Sequence, residues 1–185
     1  MAEIAIVGDG PGGLSAALFL ARSENSVTFY GIDATVMHYA FLNNYLGIEA
    51  ISGTDFQTAA RNQVEQAGAA LSSEEVTAVS LNDGSITLTT ESGDAEVDFL
   101  ILSEGKQMPL ANSLGIQVTA GEDDLVPVDS NGKTAIDHVY VVGRSARPSR
   151  SQAIISAGDG AAAALDILSE IEGNDVQDWD SPPKD

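Results

Sequence analysis

The 185-residue sequence has no cysteine, only eight lysines and arginines against twenty-eight aspartates and glutamates, and no long apolar run. The first absence excludes disulfides, thiolate nucleophiles and any dithiol relay within this chain. The shortage of cations gives a formal charge of −20 and a pI near 4.1. That balance speaks against nucleic acid, whose phosphates demand lysine and arginine, and against anionic lipid. No stretch approaches the roughly 18 apolar residues of a membrane span. Histidine is scarce too. His38 and His138 are the only two, and neither stands in metal-ligand spacing or in a Ser/His/Asp arrangement, so no metal site is expected. The start, MAEIAIVG, lacks a basic leader and runs straight into a strand, which reads as no secretory signal and as a cytoplasmic protein.

High net charge also accompanies disorder, but disordered chains lack regular apolar runs. Here 43% of residues are apolar and the runs recur, so the acid excess reads as a solvated surface of the kind suited to high salt, a halophilic trait. EIAIV (3–7) is a short apolar run ending at glycines, as in a buried parallel strand. A helix is predicted from Pro11 to about Arg22, Pro11 suiting the first turn because its missing N–H would be unpaired there. SVTFY (26–30) is a second strand. A second helix, capped by Thr54 or Asp55 and stopped by Gly68, should carry Phe56, Ala60 and Val64. EVTAVSL, SITLTT and EVDFLIL follow as strands, separated by the hairpin signals NDG and ESGD. HVYVV (138–142) and an Ala-rich helix over about 151–171 complete the pattern. The expected architecture is α/β: a Rossmann-like, three-layer domain with a central parallel sheet, flanking helices and a small β-meander layer. It spans 1–172 as one unit, and 173–185 forms an acidic, loose tail on which Trp179 is the one docking candidate.

GDGPGG places Gly8, Gly10 and Gly13 in the G-x-G-x-x-G spacing, weak alone but here set between a strand and a helix. Gly8 permits the tight turn, Gly10 lets a pyrophosphate approach the backbone, and Gly13 lets helix pack on strand. With Pro11 and Gly12 these residues open the helix, whose free N–H groups and partial positive charge favour phosphate without a lysine. Asp33, twenty residues beyond Gly13 and just after the second strand, is the candidate for the ribose hydroxyls. A free 2′-hydroxyl suits FAD or NAD; a 2′-phosphate would be repelled.

In this order of pieces the chain resembles the flavin domain of the low-molecular-weight thioredoxin reductases, in the pyridine nucleotide-disulfide oxidoreductase superfamily. The resemblance is carried by IAIVGDGPGGLSAALFLAR, VTFYGID, NNYLGI, QVEQAGA, VDFLILSEG and VYVVGRSARPSRSQAIISAGDGAAAALDIL, across most of residues 1–170. It implies FAD, and it adds Asn44, Val76, Ser103, Glu104, Gly105, Gly143, Gln152 and Ala153 to the expected cofactor contacts. It also implies a homodimer. Family members carry an inserted nicotinamide domain bearing Cys-x-x-Cys. Only about thirty residues separate Gly105 from His138, so that insert is missing here and the chain is not expected to be a thioredoxin reductase by itself. ATVMHYA (34–40) replaces the family's Gly-Gly-Gln segment, and Gly143-Arg144 replaces its Gly-Asp.

Three of the eight cations, Arg144, Arg147 and Arg150, therefore begin where the family has an acid. Arg144 either neutralises a cofactor pyrophosphate or, like the others, pairs with surface carboxylates. Arg147 and Arg150 are alternatively the mouth of that pocket or a docking spot for an acidic partner such as a ferredoxin. His38 is a candidate proton donor beside a flavin; His138 reads as structural. The expected function is a single-domain flavoprotein, an FAD-dependent oxidoreductase working with a separate redox partner. The alternatives are a non-catalytic nucleotide-binding or regulatory module that has lost the ring site, and NAD at the lone βαβ unit.

Overall fold

The computed structural model describes residues 1–82, 84–116 and 125–177. EIAIV and SVTFY form β1 (Glu3–Val7) and β2 (Ser26–Tyr30), paired in parallel with Ile4 opposite Val27 and Val7 opposite Tyr30. Between them runs α1 (Pro11–Ala21). A small antiparallel pair, β3 (Phe41–Leu42) and β4 (Ile51–Ser52), leads into α2 (Gly53–Ala67) and the short β5 (Ala70–Ser72). An antiparallel meander follows, β6 (Ala78–Asn82), β7 (Ser85–Thr90) and β8 (Gly93–Val97). Then come β9 (Phe99–Leu102), α3 (Pro109–Ser113), β10 (Val139–Val141) and α4 (Ala153–Glu172).

Five strands make one parallel sheet in the order β10-β9-β1-β2-β5. Side-chain alternation divides the core into two halves. Ile4, Ile6, Phe29, Ile101 and Tyr140 meet α1, α2 and α4 on one face, while Ala5, Leu100, Leu102, Val139 and Val141 meet the meander and α3 on the other. Burying one such large apolar side chain contributes about 1.5–3 kcal/mol, so both covering layers hold the sheet strongly. This is the expected Rossmann-like three-layer architecture. The helical layer closes on its small residues: a side-chain carbon on Gly160 of α4 would strike the Gly12 carbonyl of α1.

Some boundaries differ from the sequence reading, each for a local reason. EVDFLIL is not one strand but two, split at Asp98, whose N–H bonds to the Glu3 carbonyl at 2.8 Å while its carboxylate accepts the Glu3 N–H at 2.8 Å. The half in β8 is largely exposed, and the half in β9 is buried at every position because both faces of the central sheet are covered. Ser52 caps α2, in place of Thr54 or Asp55. Its Oγ accepts the Asp55 N–H at 3.1 Å and donates to the Asp55 carboxylate at 2.7 Å, a reciprocal cap. The Asn82–Ser85 pairing of β6 and β7 bears out a hairpin at NDG, although Asp83 lies outside the described residues. Beyond α4, Val176 packs on the core and its N–H bonds to Ser169 Oγ at 2.9 Å; Trp179 lies outside the described residues. Among the described residues no helix is long and apolar enough to cross a membrane.

Candidate functional site

In chain order the sheet grows from β1 to β2 on one side and later to β9 on the other. Such a switch point opens a crevice at the carboxyl ends of the strands. A cleft of about 640 Å³ lies there, within the size range of small-molecule sites. Its floor is the glycine loop. Gly8 has φ 101°, and any side-chain carbon there would strike the Ser103 carbonyl; one on Gly13 would strike the Gly8 carbonyl. These glycines hold loop, helix and neighbouring strand at backbone contact. The amino end of α1 has no side-chain cap and no acid in its first turn. Its free N–H groups face the cleft with a partial charge of about +0.5, an arrangement that favours an anion.

Of the residues expected at a cofactor, Gly8, Gly10, Pro11, Gly12, Val76, Ser103, Glu104, Gly105, Gly143, Arg144 and Ala153 all line this one cleft. Four others do not. Gly13 is taken up in helix–strand packing. Asn44 and Gln152 bond to each other at 2.8 Å, tying the segment before β4 to the start of α4. Asp33 has a left-handed backbone, and its half-exposed carboxylate lies 3.1 Å from His38 Nε2. The other ring nitrogen of His38 lies 3.1 Å from Thr54 Oγ1, so this imidazole is held at both ends.

The three arginines divide. Arg147 Nε bonds to Asp159 at 2.7 Å, and Arg150 donates to the Ser149 carbonyl at 3.0 Å. Arg144 lines the cleft instead, and its buried Nε has no partner among the described residues. A buried donor left unmade costs about 1–3 kcal/mol, which makes it the outstanding polar vacancy of this wall. Glu104 takes a different course. Its two oxygens accept the N–H groups of Leu110 and Ala111 at 2.7 and 3.0 Å, capping α3, and burial raises its pKa above the ordinary carboxylate value against those bonds. Burial and the nearby Glu74 likewise raise the Tyr30 hydroxyl.

Three residues of the site escaped the sequence reading. Asp9, the first variable residue of the glycine loop, is 6% exposed and ion-paired with Arg61 of α2. Gln57, one turn earlier on α2 and fully buried, donates to the Asp9 carbonyl at 2.5 Å. The available signal was the spacing Gln57–Arg61, two polar residues four apart on the face that also carries Val64.

No family model matches the chain. It is 31% identical to the mitochondrial thioredoxin reductase 2 of Saccharomyces cerevisiae over 155 residues, 72% of this chain and 45% of that protein. It is 38% identical to a thioredoxin reductase of Spironucleus barkhanus over 79 residues, 41% of this chain and 26% of that one. The chain is a relative of the thioredoxin reductases. It spans less than half the length of these two curated relatives. The structure of a thioredoxin reductase from Gloeobacter violaceus superposes with a TM-score of 0.86 at 17% identity, over 97% of this chain and 99% of that chain. At that identity the likeness speaks for fold, and the fold is that of a thioredoxin reductase FAD domain.

Proposed function

We propose that the chain binds FAD in this cleft and serves as a single-domain flavin oxidoreductase that exchanges electrons with a separate partner. The observation that carries the reading is convergence: the uncapped start of α1 and Arg144, whose buried Nε has no partner among the described residues, line one cleft at the switch point of the sheet. Both are anion-seeking, and a pyrophosphate supplies the anion for both. The residues present fit the cofactor. Gly10 is open, a side-chain carbon there meeting nothing nearer than Thr35 Oγ1 at 3.9 Å, so phosphate oxygens have access to the backbone. Gly12 would donate an N–H bond and Arg144 a charge-assisted one. The start of α4, which also lacks a side-chain cap, would present its N–H groups at the far end of the cleft.

When bound, the flavin supplies the electron transfer, and the protein orients it and tunes its potential. With no cysteine in the sequence, no dithiol relay operates within this chain. The short span from Gly105 to His138 leaves no room for an inserted nicotinamide domain, so the electron donor and acceptor are separate molecules in this reading. A homodimer is part of the same proposal. Tyr39, Phe41 and Leu46 are 93%, 61% and 87% exposed, large apolar side chains shortly after the cleft-lining Val36 and Met37 in the chain, on which a second copy would sit.

Reconstitution with FAD is the test. The protein should acquire the flavin's visible absorption, bleached on reduction with dithionite, and should bind FAD more tightly than ADP. Equal affinity for the two would favour the second reading, a nucleotide module in which the ring contributes nothing. That reading draws on the replaced segment 34–40, which folds as a 3-10 helix, Val36–Tyr39, with Met37 buried.

A further inference from the structure

We infer that Asp9, and not Asp33, is the carboxylate that holds the ribose hydroxyls of the adenosine half, an assignment that rests on the FAD reading above. The argument begins with space. A side-chain carbon on Gly31, just past β2, would lie 2.5 Å from both Cβ and Cγ of Asp9 and 2.6 Å from its Oδ2. The missing side chain of Gly31 is thus the room into which Asp9 folds. Asp9 starts from the glycine loop at the end of β1, yet its carboxylate comes to rest over the end of β2, where a dinucleotide fold needs its ribose acid.

Charge and orientation follow. An almost fully buried carboxylate survives only with partners. Asp9 has the Arg61 guanidinium and the Asp33 N–H, the latter at 3.1 Å. Both bonds fall on Oδ2, and Asp9 is among the residues that line the cleft. Arg61 also neutralises an acid that would otherwise repel the pyrophosphate nearby. It packs 5.9 Å from the Phe29 ring and reaches the Gly31 carbonyl at 3.4 Å, so it stands behind the carboxylate. Asp33 contributes its backbone N–H to this arrangement, while its carboxylate contacts His38 through Oδ1 and the residue does not line the cleft. The ligand selected is an adenosine diphosphate with free ribose hydroxyls; a 2′-phosphate would meet Asp9.

The test uses the full chain freed of flavin and measures ADP, 2′-deoxy-ADP and 3′-deoxy-ADP by calorimetry, with FAD as reference. Wild type should prefer ADP over at least one deoxy form by about tenfold, the worth of one hydrogen bond to a charged group. Asp33→Ala should keep that preference and Asp9→Ala should lose it. Preference retained in D9A, or abolished in D33A, overturns the assignment. If D9A does not fold, wild type and D33A decide between them: preference kept in both supports Asp9, and its loss in D33A returns the role to Asp33. A wild type that binds FAD and ADP but ignores the ribose hydroxyls removes this inference alone. One that binds neither nucleotide removes the FAD reading with it.

Discussion

At the end of β2 a buried acid is matched by its cation, Asp9 by Arg61, with a glutamine bracing the same loop. Across the cleft, Arg144 buries its Nε with no partner among the described residues, though the chain has acids in more than threefold excess over cations. An acidic protein has no difficulty pairing a surface arginine, as Arg147 and Asp159 show. The contrast therefore separates a wall whose buried charge the fold pairs from one whose arginine Nε the described residues leave unpaired. Removing Arg61 should therefore act first on stability, and removing Arg144 on binding.

The largest effect belongs to the completed wall. Arg61→Ala leaves Asp9 as a buried, uncompensated charge and should lower unfolding free energy by about 3–5 kcal/mol. Urea denaturation reads this, and D9A in the same chain should recover part of the loss, because the two changes couple. A drop below about 1 kcal/mol would mean the pair behaves as a surface ion pair. On the open wall, Arg144→Ala should weaken FAD binding by about 10–100-fold while leaving stability unchanged or raised by up to about 1–3 kcal/mol. The reverse outcome, intact binding with a destabilised fold, would erase the distinction between the walls.

A finer probe uses glycine. Gly31→Ala forces a carbon against Asp9 and should cost about 1–3 kcal/mol. Gly158→Ala, within α4 and facing open space, should be neutral or stabilising by up to about 1 kcal/mol. The smallest effect is the pH dependence of Glu104. Because its folded pKa is raised, the folded protein keeps a proton that the unfolded chain has already released, and stability falls as pH rises from the ordinary glutamate value through the raised one. Glu104→Gln cannot ionise, so its stability curve should be flatter across that window.

The parallel strands, the glycine loop and the closing helix were legible because each depends on local pattern: continuous apolar runs, a Pro at the helix start, small residues where backbones touch. The fold followed from their order. What stayed hidden was long-range. Asp9 meets Gly31 and Arg61 only once β1, β2 and α2 are assembled, and nothing local marks a loop aspartate as buried. Spacing also does not register the left-handed backbone at Asp33 or the contact of its carboxylate with His38. Likewise β5, three residues long, carries too little pattern to be seen until β2 offers it an edge.

A crystal structure of the chain grown with FAD bears most directly on the proposed cleft. The pyrophosphate should rest on the backbone of Gly10–Gly12 at the start of α1, with the Arg144 guanidinium within hydrogen-bonding distance of a phosphate oxygen. FAD absent from the cleft at saturating concentration, or bound with Arg144 turned to a protein carboxylate, would contradict it.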